Sequence, residues 1–340
     1  LALSPECSYH GRHTWERTRK SRSAQLYPNR QVNLECALAL GFEADARVVV
    51  VHADDIGMCH ATLPAIDELM AFGSVTSASV MVPCPWFLEA ASWHRRNPQF
   101  DLGIHLTLTS EWPHYRWGAL SCRDEESGLL DEQGYFHGAT ATVRRQAKRE
   151  AVRVEMRRQI DLALRAGIDA SHIDTHMLVA LCDEFLEIYL EAGQERGVPA
   201  FLARDLGHSA EAREWFQRRG AEWDELGQPV FDHCRVVTRR GDGSDHLEFV
   251  ADVFDRLPAG LSCVLLHPAI DTLELRGMTS EWRGRVADFE TFRRASLRDH
   301  IRDLGIHLIS YRPICDAMRR RLRAGPPSDG RQPSTTDEVS

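Results

Sequence analysis

The sequence has no C-x-x-C pair, and its nine cysteines stand singly and are odd in number. That argues against a disulfide framework or a thiolate zinc site and fits a reducing, cytoplasmic compartment. Neither a G-x-G-x-x-G turn nor a G-x-x-x-x-G-K-[ST] turn occurs, so no dinucleotide or P-loop phosphate site is expected. No apolar run approaches the roughly 18 to 20 residues that span a bilayer, and the first residues lack the apolar stretch of a signal peptide. No membrane partner is expected. Positive charge is in deficit, with 41 Lys and Arg against 50 Asp and Glu and a net charge of −9, which speaks against a general nucleic-acid binder.

What remains is ordinary globular composition, 43% hydrophobic and 27% charged over 340 residues, enough for one large α/β domain or two smaller ones. Residues 1–31 carry Arg12, Arg17, Arg19, Lys20, Arg22 and Arg30 with no sustained apolar period, and read as a disordered extension. From Gly325 the Pro/Ser/Thr/Asp composition predicts a disordered tail. A single domain is expected over 32–324.

Within it, strands and helices alternate about seven times. Val48 to Val51 start a buried strand over 48–53; helices are expected over 61–72 and 85–96, with a Val/Ser/Thr-rich strand over 74–82. Residues 101–109 alternate Leu102, Ile104, Leu106 and Leu108 with Asp101, Gly103, His105, Thr107 and Thr109, one face for packing and one polar. Residues 110–139 form a long loop carrying Trp112, His114, Tyr115, Trp117, Tyr135, Phe136 and His137, either a functional lid or a loop pinned by its aromatics. A charge-rich helix over 141–166 presents a solvated face. A strand at 170–175, helices at 183–196 and 209–219, an extended segment at 230–237, a helix at 245–256, a strand at 261–266, a helix at 286–303 and a last strand at 306–310 complete the series. The repeat predicts an α/β fold, a distorted or incompletely closed (β/α) TIM-like barrel, with a doubly wound open sheet as the alternative.

Chemistry-bearing residues recur at the C-terminal ends of four of these strands: Asp54-Asp55, His105, the set His172-Ile173-Asp174-Thr175-His176, and His267. Successive side chains of a regular strand point to opposite faces, so Asp54 and Asp55 need a turn to serve one site, and Gly57 is expected to supply it. Taken alone, an Asp-Asp pair before glycine is a polar turn, and a single strand histidine is a core or rim residue. A parallel barrel, however, gathers its strand ends around one pocket. Two imidazoles and a carboxylate around an open position make a site for zinc or a similar divalent ion.

The segments His52-Ala53-Asp54-Asp55-Ile56-Gly57, Gly73 to Val82, Gly103-Ile104-His105-Leu106-Thr107-Leu108-Thr109, His172 to His176 and His267-Pro268 together resemble the YdjC-like carbohydrate deacetylases, which include the chitooligosaccharide deacetylases. The resemblance spans roughly residues 45–312. It implies a distorted (β/α) barrel and one divalent metal ion, zinc or magnesium foremost, held by Asp55, His105 and His176. It also implies Asp54 as general base and His267 as catalytic acid or its close support. Two features depart from the family pattern: Met177, Leu178, Val179 and Ala180 follow His176 where many members carry further histidines, and His267-Pro268-Ala269 stands where His-Pro-Gly is common. Both bear on the substrate rather than on the proposed ligands.

The implied activity is removal of N-acetyl groups from an amino sugar or oligosaccharide. Trp86, Trp112 and Trp117 are candidate faces for sugar rings. Hydrolysis of another amide or an ester, and carbohydrate binding without turnover, are the alternatives. A homo-oligomer is left open.

Overall fold

Val48, Val49, Val50 and Val51 are fully buried, as expected of a parallel strand covered on both faces. They begin β1 (Arg47–Ile56), the strand to which the sheet is joined on both sides. This computed structural model describes residues 36–206, 228–239 and 244–324, together with 214–216, 218, 219 and 223. The expected extension over 1–31, the tail from 325 and residues 209–213 of an expected helix lie outside the described residues.

The other strands are β2 (Ser77–Val80), β3 (Leu102–Leu106), β4 (Ile173–Thr175), β5 (Ala203–Asp205), β6 (Phe231–Val236), β7 (Gly260–Leu266) and β8 (His307–Leu308). All pair in parallel, in the order β4-β3-β2-β1-β7-β6-β5, and β8 lies beside the start of β1. A parallel bridge between Ile173 of β4 and Ala200, just ahead of β5, brings the two ends of the sheet together. The sheet therefore curls into the distorted (β/α) barrel expected from the sequence rather than a doubly wound open sheet.

The covering helices are α1 (Cys36–Ala39), α2 (Thr62–Phe72), α3 (Phe87–Arg96), α4 (Thr140–Gln146), α5 (Arg149–Arg165), α6 (Leu186–Arg196), α7 (His246–Asp255), α8 (Leu273–Met278), α9 (Trp282–Phe292), α10 (Ala295–Asp303) and α11 (Arg312–Ala324). Three differ from the sequence expectation for identifiable reasons. The helix expected over 141–166 breaks at Ala147, whose backbone is extended, because the N–H of Lys148 goes to the carbonyl of Ser127 in the preceding loop (3.0 Å). The helix expected over 286–303 is two, α9 and α10, broken at Arg294, whose backbone is extended. Within the loop expected to run to 284, Leu273–Met278 is helical, capped by the Thr272 hydroxyl accepting from the N–H of Leu275.

Strand β3 stops at Leu106 rather than 109. Buried Gln159 of α5 takes over Thr107 completely, accepting its N–H (2.9 Å) and donating to its carbonyl (2.7 Å). The charged face of α5 is not simply solvated either. Its arginines pair with the next helix, Arg149 with Glu187 (3.0 Å), Arg153 with Glu191 and Arg157 with Glu195.

Behind the site, the His172 ring stacks on Tyr311 with centroids 4.0 Å apart, and Gly103 lies directly against it. A Cβ at Gly103 would meet the ring at 2.3 Å, so only glycine fits beneath that stack. Gly103→Ala is expected to cost about 1–3 kcal/mol of stability, the range for overpacking a core, measured by chemical denaturation.

Candidate active site

The end of β1 is irregular in a way that matters. Its register with β2 shifts between Ala53 and Ile56, and Asp55 itself has φ +65°. A bulge of this kind adds a residue to one strand and re-aims side chains. Gly57 has positive φ (+80°), as expected, but the irregularity begins two residues earlier at Asp55, and both carboxylates turn toward the barrel mouth. A non-glycine residue with positive φ is uncommon and held by its surroundings. The holders of Asp55 are His105, His176 and Arg285.

Asp55 is fully buried. Its Oδ1 makes no hydrogen bond and lies 3.3 Å from His105 Nε2 and 3.1 Å from His176 Nδ1. Its Oδ2 is held by Arg285 Nη2 at 2.7 Å. The far nitrogen of each histidine is taken by a carboxylate: His105 Nδ1 lies 2.8 Å from Asp174 Oδ1, and His176 Nε2 lies 3.0 Å from Glu111 Oε2. A proton held at each far nitrogen leaves the near lone pair free, the pattern by which outer carboxylates orient metal-binding imidazoles. Asp55, His105 and His176 can together hold a metal ion, their ligand atoms lying within 4.8 Å of one another.

The charges follow the geometry. Burial would raise the carboxyl of Asp55, but the Arg285 guanidinium, with His176 and His105, holds it well below the usual carboxylate range. Burial disfavours a charge on His176, yet Glu111 and Asp55 push it up to about 9. His105 is likewise raised against its burial, by Asp174 first.

A second network adjoins the first. His52 Nε2 lies 2.9 Å from Asp174 Oδ2 and 3.1 Å from Asp54 Oδ1, and Ser79 donates its hydroxyl to Asp174 Oδ2 (2.7 Å). Burial works against a charge on His52, but Asp174 and Asp54 push it up to about 9. Its positive ring sits between the two carboxylates. Asp54 Oδ2 faces His267 Nε2 at 3.7 Å, and burial, aided by the Arg285 charge, lowers the pKa of His267.

His172, also fully buried, is driven well below its ordinary value, by burial first and then by the His52 charge. The sign is fixed by that direction. Above about pH 6.5, the unfolded value, the ring is neutral in both states and costs nothing. As pH falls from there toward the lower folded value, only the unfolded chain takes the proton, so stability is lost at up to ~1.4 kcal/mol per pH unit. The raised His52, His105 and His176 act with the opposite sign in this window, so the difference between wild type and His172→Gln, from denaturation curves between pH 7 and 5.5, isolates the His172 slope of about one proton.

The five residues expected at the barrel mouth are therefore brought together. The tryptophans are not sugar platforms in equal measure. Trp117 is 3% exposed, donates its indole N–H to the Thr109 carbonyl (2.7 Å) and packs 6.2 Å from His176, centroid to centroid. Its face is covered, which corrects the expectation for that residue. Trp112 is 7% exposed and lies against Arg285. Trp86 is half-buried, with its ring 4.6 Å from that of His60. The loop that carries Trp112 and Trp117 is pinned by Tyr115, which donates to the Met58 carbonyl (2.6 Å), and by Arg116, which donates to Asp131 and the Phe136 carbonyl. It also supplies Glu111.

Against known proteins, residues 48–303 match the sequence profile of the YdjC-like proteins. The chain belongs to the YdjC-like family. A carbohydrate deacetylase from Thermus thermophilus is 30% identical over 80% of this chain and 95% of its own length. Another carbohydrate deacetylase, from Brevibacillus brevis, is 27% identical over 77% of this chain and 98% of its own. A solved structure from Enterococcus faecalis V583, named for cellobiose-phosphate cleavage, superposes with a TM-score of 0.67 at 24% identity, covering 78% of this chain and 98% of that one. At that identity the likeness speaks for the fold alone.

Within this YdjC-like chain, sequence reasoning missed Arg285 and Glu111. Glu111 lies in a loop without periodicity, and Arg285 is one of many arginines on the later helices, so neither carried a signal. The stretch after His176 holds another surprise: Met177 and Leu178 both have positive φ (52° and 55°), in a sequence with no glycine or asparagine to announce it. No helix among the described residues is long and apolar enough to cross a membrane.

Proposed function

We propose that the chain is a metal-dependent carbohydrate deacetylase that hydrolyses N-acetyl groups on an amino sugar or oligosaccharide. Asp55, His105 and His176 would hold one divalent ion, zinc or magnesium foremost, with Asp54 as general base and His267 as general acid. The observation that carries this reading is the bare Oδ1 of Asp55 facing two imidazole nitrogens whose other ends are occupied by carboxylates. The names of the relatives supply the substrate class.

When bound, the ion would polarise the acetyl carbonyl, bring the pKa of a coordinated water down toward about 7 and stabilise the oxyanion. The chain's own residues do the rest. Arg285 clamps Asp55 Oδ2, so that the carboxylate presents Oδ1 alone to the site. Asp54, adjacent to Asp55 and ion-paired through Oδ1 with His52 (3.1 Å), takes a proton from the attacking water through Oδ2. His267 faces that free oxygen and protonates the departing amine; burial and the Arg285 charge lower its pKa, so that once protonated it gives the proton up readily. Trp117 and Trp112 keep the wall beside His176 and Arg285 apolar, which excludes water and strengthens the charges within.

The substrate class is tested with a panel of N-acetylglucosamine oligosaccharides, O-acetylated sugars and simple acetamides, following acetate. The reading expects turnover of the N-acetylated sugars above the others. Preference for an ester would move the assignment to the alternative hydrolase.

A further inference from the structure

Beside the proposed acid lies a chain of groups, buried except for half-buried Thr238, that none of the roles above uses. Thr238, just past β6, and His267, just past β7, meet where His267 Nδ1 lies 2.8 Å from Thr238 Oγ1. The Thr238 hydroxyl is hydrogen-bonded to Asp288 Oδ2. That oxygen also accepts the backbone N–H of His267 (2.8 Å), and the same N–H lies 3.0 Å from Thr238 Oγ1. Asp288 Oδ1 pairs with His246 Nε2 at 2.8 Å. Asp288 is fully buried, and His246 and His267 are nearly so.

Counting hydrogens decides the direction of this chain. Asp288 as a carboxylate has no proton to give, so Thr238 must donate its single hydroxyl hydrogen to it. Thr238 Oγ1 is then left only as an acceptor toward His267, and His267 Nδ1 must carry a hydrogen. In the neutral ring the lone pair is accordingly on Nε2, the nitrogen that faces Asp54 Oδ2 at 3.7 Å.

We infer that Thr238, Asp288 and His246 are positioning residues that hold neutral His267 in the Nδ1–H tautomer, leaving Nε2 bare on the side of Asp54 to take up the proton that is given to the amine. The roles of Asp54 and His267 in this sequence rest on the deacetylase reading; the tautomer does not. The protons balance. Water attacks the acetyl carbon and loses a proton to Asp54, which passes it to His267 Nε2. The C–N bond breaks as the amine nitrogen takes that proton, and the remaining hydroxyl leaves as part of acetic acid. One proton travels the line and each residue returns to its starting state. The line from Asp288 also gives the transient imidazolium an anion in hydrogen-bonded sequence, strengthened by burial.

The tautomer is read directly by 15N NMR of histidine-labelled full-length protein, with His267 assigned by its loss in His267→Gln. The expected spectrum of the neutral ring has a protonated Nδ1 and an unprotonated Nε2. The reverse pattern overturns the inference, whatever the substrate proves to be. In kinetics, Thr238→Val, which keeps the shape and removes the hydroxyl, should lower kcat by about 10- to 100-fold, the range for lost outer partners, with little change in KM. Thr238→Ser should restore most of it. Equal activity of the Val and wild-type proteins, or a Ser variant as poor as the Val variant, contradicts the chain. A wild-type protein that releases no acetate from any substrate defeats the deacetylase reading and leaves the NMR result to decide the tautomer.

Discussion

Asp55→Asn is expected to lose tight divalent-ion binding and to lower acetate release by on the order of 10³-fold or more. Removing a Lewis acid that supplies several kcal/mol forfeits about 4 kcal/mol of transition-state stabilisation, and each 1.36 kcal/mol is a factor of ten. The same change has a second consequence that separates Asp55 from an ordinary surface carboxylate. Arg285 is 3% exposed and has its side-chain ion pair with Asp55, and breaking a buried pair by removing one charge costs about 3–5 kcal/mol. Asp55→Asn should therefore lower the melting temperature as well as activity, and activity is to be compared well below the variant's transition. Calorimetric metal titration reads the first effect and thermal denaturation the second. A variant that binds metal as tightly as wild type removes Asp55 from the ligand set.

His267→Gln is expected to lower kcat by about 10²- to 10⁴-fold, the range for a positioned acid or base, while leaving metal binding near the wild-type value. Asp54→Asn should fall in the same range. The two residues face one another across 3.7 Å and are proposed to handle one proton in succession, so their effects cannot be independent. The double variant should be little worse than the poorer single one, as found when residues act as a unit. Additive losses, multiplying the two factors, would mean that base and acid work on separate protons. Retained kcat in His267→Gln would place the acid elsewhere.

How the fold was legible in the sequence is clearest at β1 and β3. Val48 to Val51 announce a strand buried on both faces, and the Asp-Asp pair after it announces a strand end. Alternation about seven times, without a glycine-rich phosphate turn, points to the barrel. What the sequence could not carry is contact across distance. It placed a bend at Gly57, where φ is indeed +80° because glycine is the ordinary residue for positive φ, but it gave no sign of the second positive φ, at Asp55, held by His105, His176 and Arg285 from three other elements. It extended β3 to 109 because alternation continues; the strand ends at Leu106 because Gln159 satisfies Thr107.

The site divides the same way. Asp54, Asp55, His105, His176 and His267 fall at strand ends, where a parallel barrel makes position predictive. Arg285, Glu111, Thr238, Asp288 and His246 act on those five from loops and helices, and only their hydrogen bonds reveal them. Arg285 and Asp288 stand one turn apart on α9, so a single helix face reaches the proposed metal ligand Asp55 and the support of His267. Nothing in the periodicity of that helix marks it as more than a covering element.

One divalent ion held by Asp55, His105 and His176 is proposed to be required for turnover. The most direct test is titration of chelator-stripped protein with zinc or magnesium while acetate release from N-acetylated oligosaccharide is followed. Stripped protein should release no acetate and recover activity that saturates at one ion per chain; full release by the stripped protein would rule out a required ion.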